Sequence, residues 1–197
     1  MMAAYFKPCK SWTKKLVILS GLVTLLSGCS DHIERNTVVR DSFDIIMFQV
    51  TPEGNGVTVG KVYIHHADDD DPGNGVRFQP ALHDLSPGEH GFHIHENPSC
   101  EPGVKDGKRV AALDAGSHYD PEGTGHHGGP QGNGHLGDLP TLIVNQFGVA
   151  DIPFVVPRLS MKDLKLRSLI IHAGSDNYSD NPPLGGGGAR IACGIIQ

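Results

Sequence analysis

The sequence predicts an all-β domain, an eight-stranded antiparallel sandwich or barrel with two long functional loops. Three observations carry that expectation. Short apolar segments rich in Val, Ile and Phe recur between clusters of Gly, Pro, Asn and Asp, as strands do between turns. Past the N-terminus, no segment has the length and period of a long helix. Two Gly-rich stretches, residues 98–140 and 174–188, break the strand rhythm, and loops of such length in a compact domain usually serve a function.

The N-terminus reads as an address. Lys7, Lys10, Lys14 and Lys15 precede an apolar run over residues 16–26, too short to cross a bilayer of ~30 Å as a helix but suited to a secretory signal. The run closes on Leu26-Ser27-Gly28-Cys29, which resembles the lipobox of bacterial lipoproteins. Residues 1–28 are therefore expected to be a signal peptide, with Cys29 lipidated as the new N-terminus. Residues 29–42 are polar and aperiodic, as a tether would be, and residues 43–197 form the domain. Ser30, rather than Asp, after Cys29 points to the outer membrane, so the expected location is a periplasm-facing lipoprotein whose only membrane contact is its anchor. Losing four lysines and no acids takes the formal charge from −6 to −10, which argues against nucleic acid as a partner. Cys9 leaves with the signal and Cys29 carries lipid; Cys100 and Cys193 remain, and in an oxidising compartment they read as one disulfide.

The strands are expected at residues 43–50, 57–64, 76–82 and 91–95, then at 141–147, 149–155, 169–173 and 189–196. Residues 161–167 have the pattern of one or two helical turns. The acidic run Asp68 to Asp71 before Pro72-Gly73 reads as a solvated turn.

The histidines carry the chemistry. His93 and His95 are one residue apart in an apparent strand, so both imidazoles project from the same face, a spacing suited to a transition metal. The first loop adds His118, His126, His127 and His135 with Asp138 on Gly-rich turns, a nitrogen and oxygen set fit for a closed tetrahedral zinc site. Binding energy at such a site would fold a loop that has no core of its own. His172, near the end of a later strand, would not be selected by itself.

Together, His93-Ile94-His95, the Gly-Ser-His-Tyr-Asp-Pro turn at His118, Gly-His-Leu-Gly-Asp-Leu-Pro around His135, and Gly-Gly-Gly-Ala-Arg-Ile-Ala-Cys-Gly-Ile-Ile at the C-terminus resemble bacterial copper/zinc superoxide dismutases. The resemblance runs from about residue 43 to the end. It implies a Greek-key sandwich, so the fold expectation is inherited as well as inferred. It also implies one copper per chain on His93, His95, His118 and His172, and one zinc on His118, His127, His135 and Asp138. His118 is then a shared imidazolate that hands a proton to the outgoing peroxide. His127 fits the family position, being followed two residues on by Gly-Pro, although the sequence leaves a swap with His126 open. Asp176 resembles the carboxylate that joins a copper histidine to a zinc histidine, and Arg190 matches the guanidinium that draws in and orients the superoxide anion. The implied reaction is superoxide dismutation, protecting the cell envelope. Family members occur as monomers and as dimers, so a homodimer also stays open.

Other polar residues take blander readings. His32, His65, His66 and His83 are expected to be solvated or hydrogen-bonded, and His90 to face away from His93. Lys105, Lys108 and Arg109 could steer an anion or form a plain surface cluster.

Overall fold

The structure, a computed structural model, describes residues 42–67 and 75–197. The expected signal peptide, Cys29 as the expected lipidation site, nearly all of the expected tether, and the acidic run at 68–71 lie outside the described residues. Within them the chain forms β1 (Ser42–Thr51), β2 (Gly54–His66), β3 (Val76–Leu82), β4 (Gly88–His90), β5 (Phe92–His95), β6 (Gly103–Lys105), β7 (Lys108–Val110), β8 (Leu142–Val144), β9 (Phe154–Val156), a single helical turn α1 (Met161–Leu164), β10 (Arg167–His172) and β11 (Arg190–Ile196).

All eight expected strands are present, and β4, β6 and β7 add three short ones. The β6–β7 hairpin turns on Asp106-Gly107, both with positive φ, as a two-residue turn between twisted strands requires. Two strands are shorter than expected. Asn145 closes a turn in which Gly148 N–H donates to its carbonyl at 3.0 Å, ending β8 early. Pro153, which has no N–H to give a ladder, keeps β9 from starting before Phe154.

Seven strands lie in the order β5-β10-β11-β1-β2-β3-β9, and every pairing is antiparallel. The chain runs through β1, β2 and β3 as a meander and crosses to the far end of the sheet as β5, the expected Greek-key crossover. Side chains from both ends of that order, Phe92 and Ile94 on β5 and Val156 next to β3, share one apolar core with Ile45, Met47 and Val62. The sheet therefore curls on itself. Gly194 permits close packing there, since a Cβ on it would lie 2.6 Å from Ile45 Cγ2.

On β5 the alternation decides where the chemistry goes. Phe92 and Ile94 point into the core, which leaves His93 and His95 on the opposite face. That face is nonetheless buried, because the loop following β7 lies across it.

A smaller cluster of Val50, Ala111, Ala112, Ala115 and Ile170 surrounds the Cys100–Cys193 disulfide, which ties the start of the first loop to β11 across 93 residues. Replacing both cysteines by alanine frees that closed loop, and chain entropy sets the expected loss at about 4.6 kcal/mol. Urea unfolding measures it; a loss below about 1 kcal/mol would show that the bridge constrains the unfolded chain little.

Candidate metal centre

The outer edge of β5 is completed by loop backbone. Tyr119 N–H donates to Ile94 O and Ile94 N–H to Gly137 O, each at 2.9 Å, so the loop pairs with β5 on the side away from β10. Those bridges set His118 opposite His95 and Asp138 opposite His93. His172 arrives from the other side, at the end of β10, where its N–H donates to Gly91 O at 2.8 Å. Ordinary sheet pairing thus brings three chain segments to one place.

Their side chains form two overlapping groups. Ligand-type atoms of His93, His95, His118 and His172 lie within 4.8 Å of one another, as do those of His93, His118, His127 and Asp138. In the second group Asp138 Oδ1 is a hub, 3.0 Å from His118 Nδ1, 3.0 Å from His127 Nδ1 and 3.4 Å from His135 Nδ1. His135 stands at the edge of this pocket. His93 enters it because its ring stacks on His118, with centroids 3.9 Å apart.

The pattern of hydrogen bonds tests whether metals fit. His93 Nε2 bonds Asp176 Oδ2 at 2.6 Å, His95 Nδ1 bonds Gly116 O at 3.0 Å, and His172 Nδ1 bonds Gly188 O at 3.2 Å. In each of these rings the other nitrogen is buried without a partner: His93 Nδ1, His95 Nε2 and His172 Nε2. His118 Nε2 is likewise bare, while Nδ1 of His127 and Nδ1 of His135 are buried and face Asp138 Oδ1. A ring pinned through one nitrogen and bare at the other is how a metal-ligating histidine is held. Four imidazoles suit copper, and three with a carboxylate suit zinc.

Electrostatics agrees. Burial pushes His95 well below the ordinary histidine range, His118 down to about 4 and His172 down to about 3, and it lowers His93 despite the opposing pull of Asp176. These rings are neutral near pH 7, as ligands must be. Burial opposes charge on Asp138 and Asp176, but hydrogen bonds from His118 and His127 to the first, and from His127 and His93 to the second, hold both below the usual carboxylate range. Burial also opposes charge on His127, yet its two flanking carboxylates outweigh it and raise the ring to about 9.

Asp176 lies between the two groups, with Oδ2 on His93 and Oδ1 at 2.7 Å from His127 Nε2, and Tyr178 N–H donates to Oδ1 at 2.8 Å. Gly185 backs it with φ +71°; a Cβ there would meet Asp176 Oδ1 at 2.1 Å, so no other residue fits. Arg190 donates to Ala112 O and, at 2.6 Å, to Gly116 O, the carbonyl that also holds His95. Its charge is thereby fixed beside the four-histidine group.

The remaining expectations sort as follows. His126 turns away, its ring between Thr124 O and Asn133 Oδ1 at 3.2 Å each. His83 pairs with Asp84 on the surface, and His65 Nδ1 bonds His66 O. His90 is buried and bonds the carbonyls of His172 and Ser86, so it holds the backbone of a candidate ligand. Lys105, Lys108 and Arg109 lie on the β6–β7 hairpin, and Arg109 is engaged with Pro52 O at 2.6 Å. Asp180, which no motif marks, accepts the His127 N–H at 3.0 Å.

Comparison with known proteins now decides the family. Residues 58–196 match the family profile of copper/zinc superoxide dismutase (SODC). The chain belongs to that family. It is 49% identical over 186 residues to superoxide dismutase [Cu-Zn] 1 of Salmonella typhimurium, covering 93% of this chain and 99% of that one. Its fold resembles the Cu/Zn superoxide dismutase from Brucella abortus, with TM-score 0.74, 52% identity, and 80% of this chain and 100% of that one covered. It also resembles the monomeric copper, zinc superoxide dismutase from Salmonella enterica, with TM-score 0.69, 53% identity and the same coverage. Copper and zinc are the cofactors of this superoxide dismutase family, and the two groups of side chains can hold them.

The raised His127 gives a testable consequence. In metal-free protein at pH 7 this ring carries a proton, and zinc arriving at Nδ1 must displace it. Calorimetric zinc titrations in buffers of different ionisation enthalpy should show release of about one proton at pH 7, fading above pH 9. Heats independent of buffer at pH 7 would contradict this account.

Proposed function

We propose that the protein dismutes superoxide with copper held by His93, His95, His118 and His172, and zinc held by His118, His127, His135 and Asp138. Two superoxide anions and two protons give one dioxygen and one hydrogen peroxide. Bound copper supplies the one-electron change in each direction, while zinc, which has no redox chemistry, stabilises the loop and polarises the shared ring.

The observation that carries this reading is His118. Its Nδ1 is 3.0 Å from Asp138 Oδ1, and its bare Nε2 belongs to the group with His93, His95 and His172. One ring therefore faces both pockets. Nε2 is the atom at which a proton can be held and passed to a departing peroxide. Asp176 keeps the two pockets in register by bonding one ring from each.

Arg190 provides what an acidic protein needs in order to attract a small anion, a fixed cation at the site. Steering of this kind is already known for superoxide dismutases. A metal store would need the ligands but not this guanidinium. Every proposed ligand comes from a single chain, so the reaction does not require a homodimer.

Export and anchoring belong to the same proposal: a signal over residues 1–28, a lipid on Cys29, and a domain facing the periplasm from the outer membrane, where it protects the envelope. The Cys100–Cys193 disulfide supports an oxidising compartment.

Arg190→Ala is expected to keep both metals, lower kcat/KM by about tenfold and flatten the salt dependence of the rate. Arg190→Lys should restore the salt dependence with only part of the rate. A rate and salt slope unchanged in the alanine variant would remove Arg190 from the mechanism.

A further inference from the structure

Arg158 belongs to neither functional loop; it lies on the stretch between β9 and α1. Its guanidinium nevertheless reaches into the first loop. Nη1 donates to Gly132 O at 2.8 Å and to Gly134 O at 3.3 Å, and Nη2 donates to His135 O. A planar fork of fixed donors suits carbonyls that converge in this way, and a lysine ammonium does not reproduce it.

The gripped segment has one side-chain anchor before His135, Asn133 Oδ1 on His126 Nε2 at 3.2 Å, and the glycines on either side of it offer only backbone. Gly132 and Gly134 have no side chains, and a Cβ on either would collide with Gly128, at 2.1 Å from its carbonyl oxygen for Gly132 and 2.4 Å from its nitrogen for Gly134. His135 N–H donates to His126 O at 3.1 Å, which closes the segment on one side. Arg158 closes it on the other. The last carbonyl it takes is that of His135, whose Nδ1 is buried, unpartnered and 3.4 Å from Asp138 Oδ1.

We infer that Arg158 is a positioning residue for the zinc site, holding the backbone of residues 132–135 so that His135 presents Nδ1 beside Asp138. The inference rests on the ligand assignment proposed above. Arg158 acts on the metal through His135 without touching it. Loss of the fork takes their side-chain donor from Gly132 O and Gly134 O, leaves His135 O with the Asp138 N–H at 3.3 Å, and frees the backbone that carries one ligand. Groups bonded to a ligand residue typically change metal affinity by about 10- to 100-fold when removed.

The test compares full-length wild-type protein with Arg158→Met and Arg158→Lys. Zinc affinity is read by chelator competition, the visible spectrum of cobalt placed in the zinc position is recorded, and Tm is measured with and without zinc. Arg158→Met should bind zinc about 10- to 100-fold more weakly, alter the cobalt bands and keep its copper. Its Tm should fall more in the zinc-loaded protein than in the metal-free protein, and Arg158→Lys should recover only part of the affinity. Wild-type zinc affinity in Arg158→Met, or equal losses of Tm with and without zinc, would overturn the inference. His135→Ala separates the two levels: if it leaves zinc affinity intact, the ligand assignment itself fails and the role of Arg158 falls with it.

Discussion

Two carboxylates, Asp138 and Asp176, stand among six buried imidazoles, and the rest of the site is arranged around them. Each carboxylate bonds rings from both groups or gathers three rings around one oxygen. Because burial keeps most of these rings neutral, they offer lone pairs instead of charge, and their bare nitrogens stay unsatisfied. A buried polar atom without a partner costs about 1–3 kcal/mol. A metal that takes up those lone pairs would remove that cost, so its binding energy would add to the stability of the loops.

The strands make that arrangement inexpensive in conformational terms. His93 and His95 need only the ordinary alternation of β5 to face away from the core. His118 and Asp138 need only pair with the free edge of that strand. The second loop then adds Asp176, with Gly185 behind it because nothing larger fits. The disulfide joins the first loop to β11, the strand on which Arg190 lies, so the cation and the ligands belong to one frame. An acidic protein thus holds a fixed positive charge beside the four-histidine group.

Much of this was legible in the sequence, for identifiable reasons. The period-two spacing of His93 and His95 states their shared face, and the eight apolar segments mark the strands. The Gly-rich motifs around His118, His135 and Arg190 carried the family resemblance, and through it the ligand set. Where reasoning from residues fell short, backbone was usually involved. Asp106-Gly107 is a readable hairpin turn, but the flanking residues lack apolar alternation, so β6 and β7 went unrecognised. Pro153 sits inside a run that otherwise looks like strand. His90, Asp180 and Arg158 act on main-chain N–H and carbonyl groups, which every position has, so no side-chain pattern marks their partners. The sequence likewise does not tell His126 from His127; in space the His127 ring meets Asp138 and Asp176, while His126 bonds Asn133.

The central claim is that one imidazole, His118, serves two metal sites. Anomalous diffraction at the copper and zinc absorption edges, from crystals loaded with both ions, addresses it directly. The account predicts one copper peak at His93 Nδ1, His95 Nε2, His118 Nε2 and His172 Nε2, and one zinc peak at Nδ1 of His118, His127 and His135 with Asp138 Oδ1. A zinc peak away from His118, or both ions in a single pocket, would contradict it.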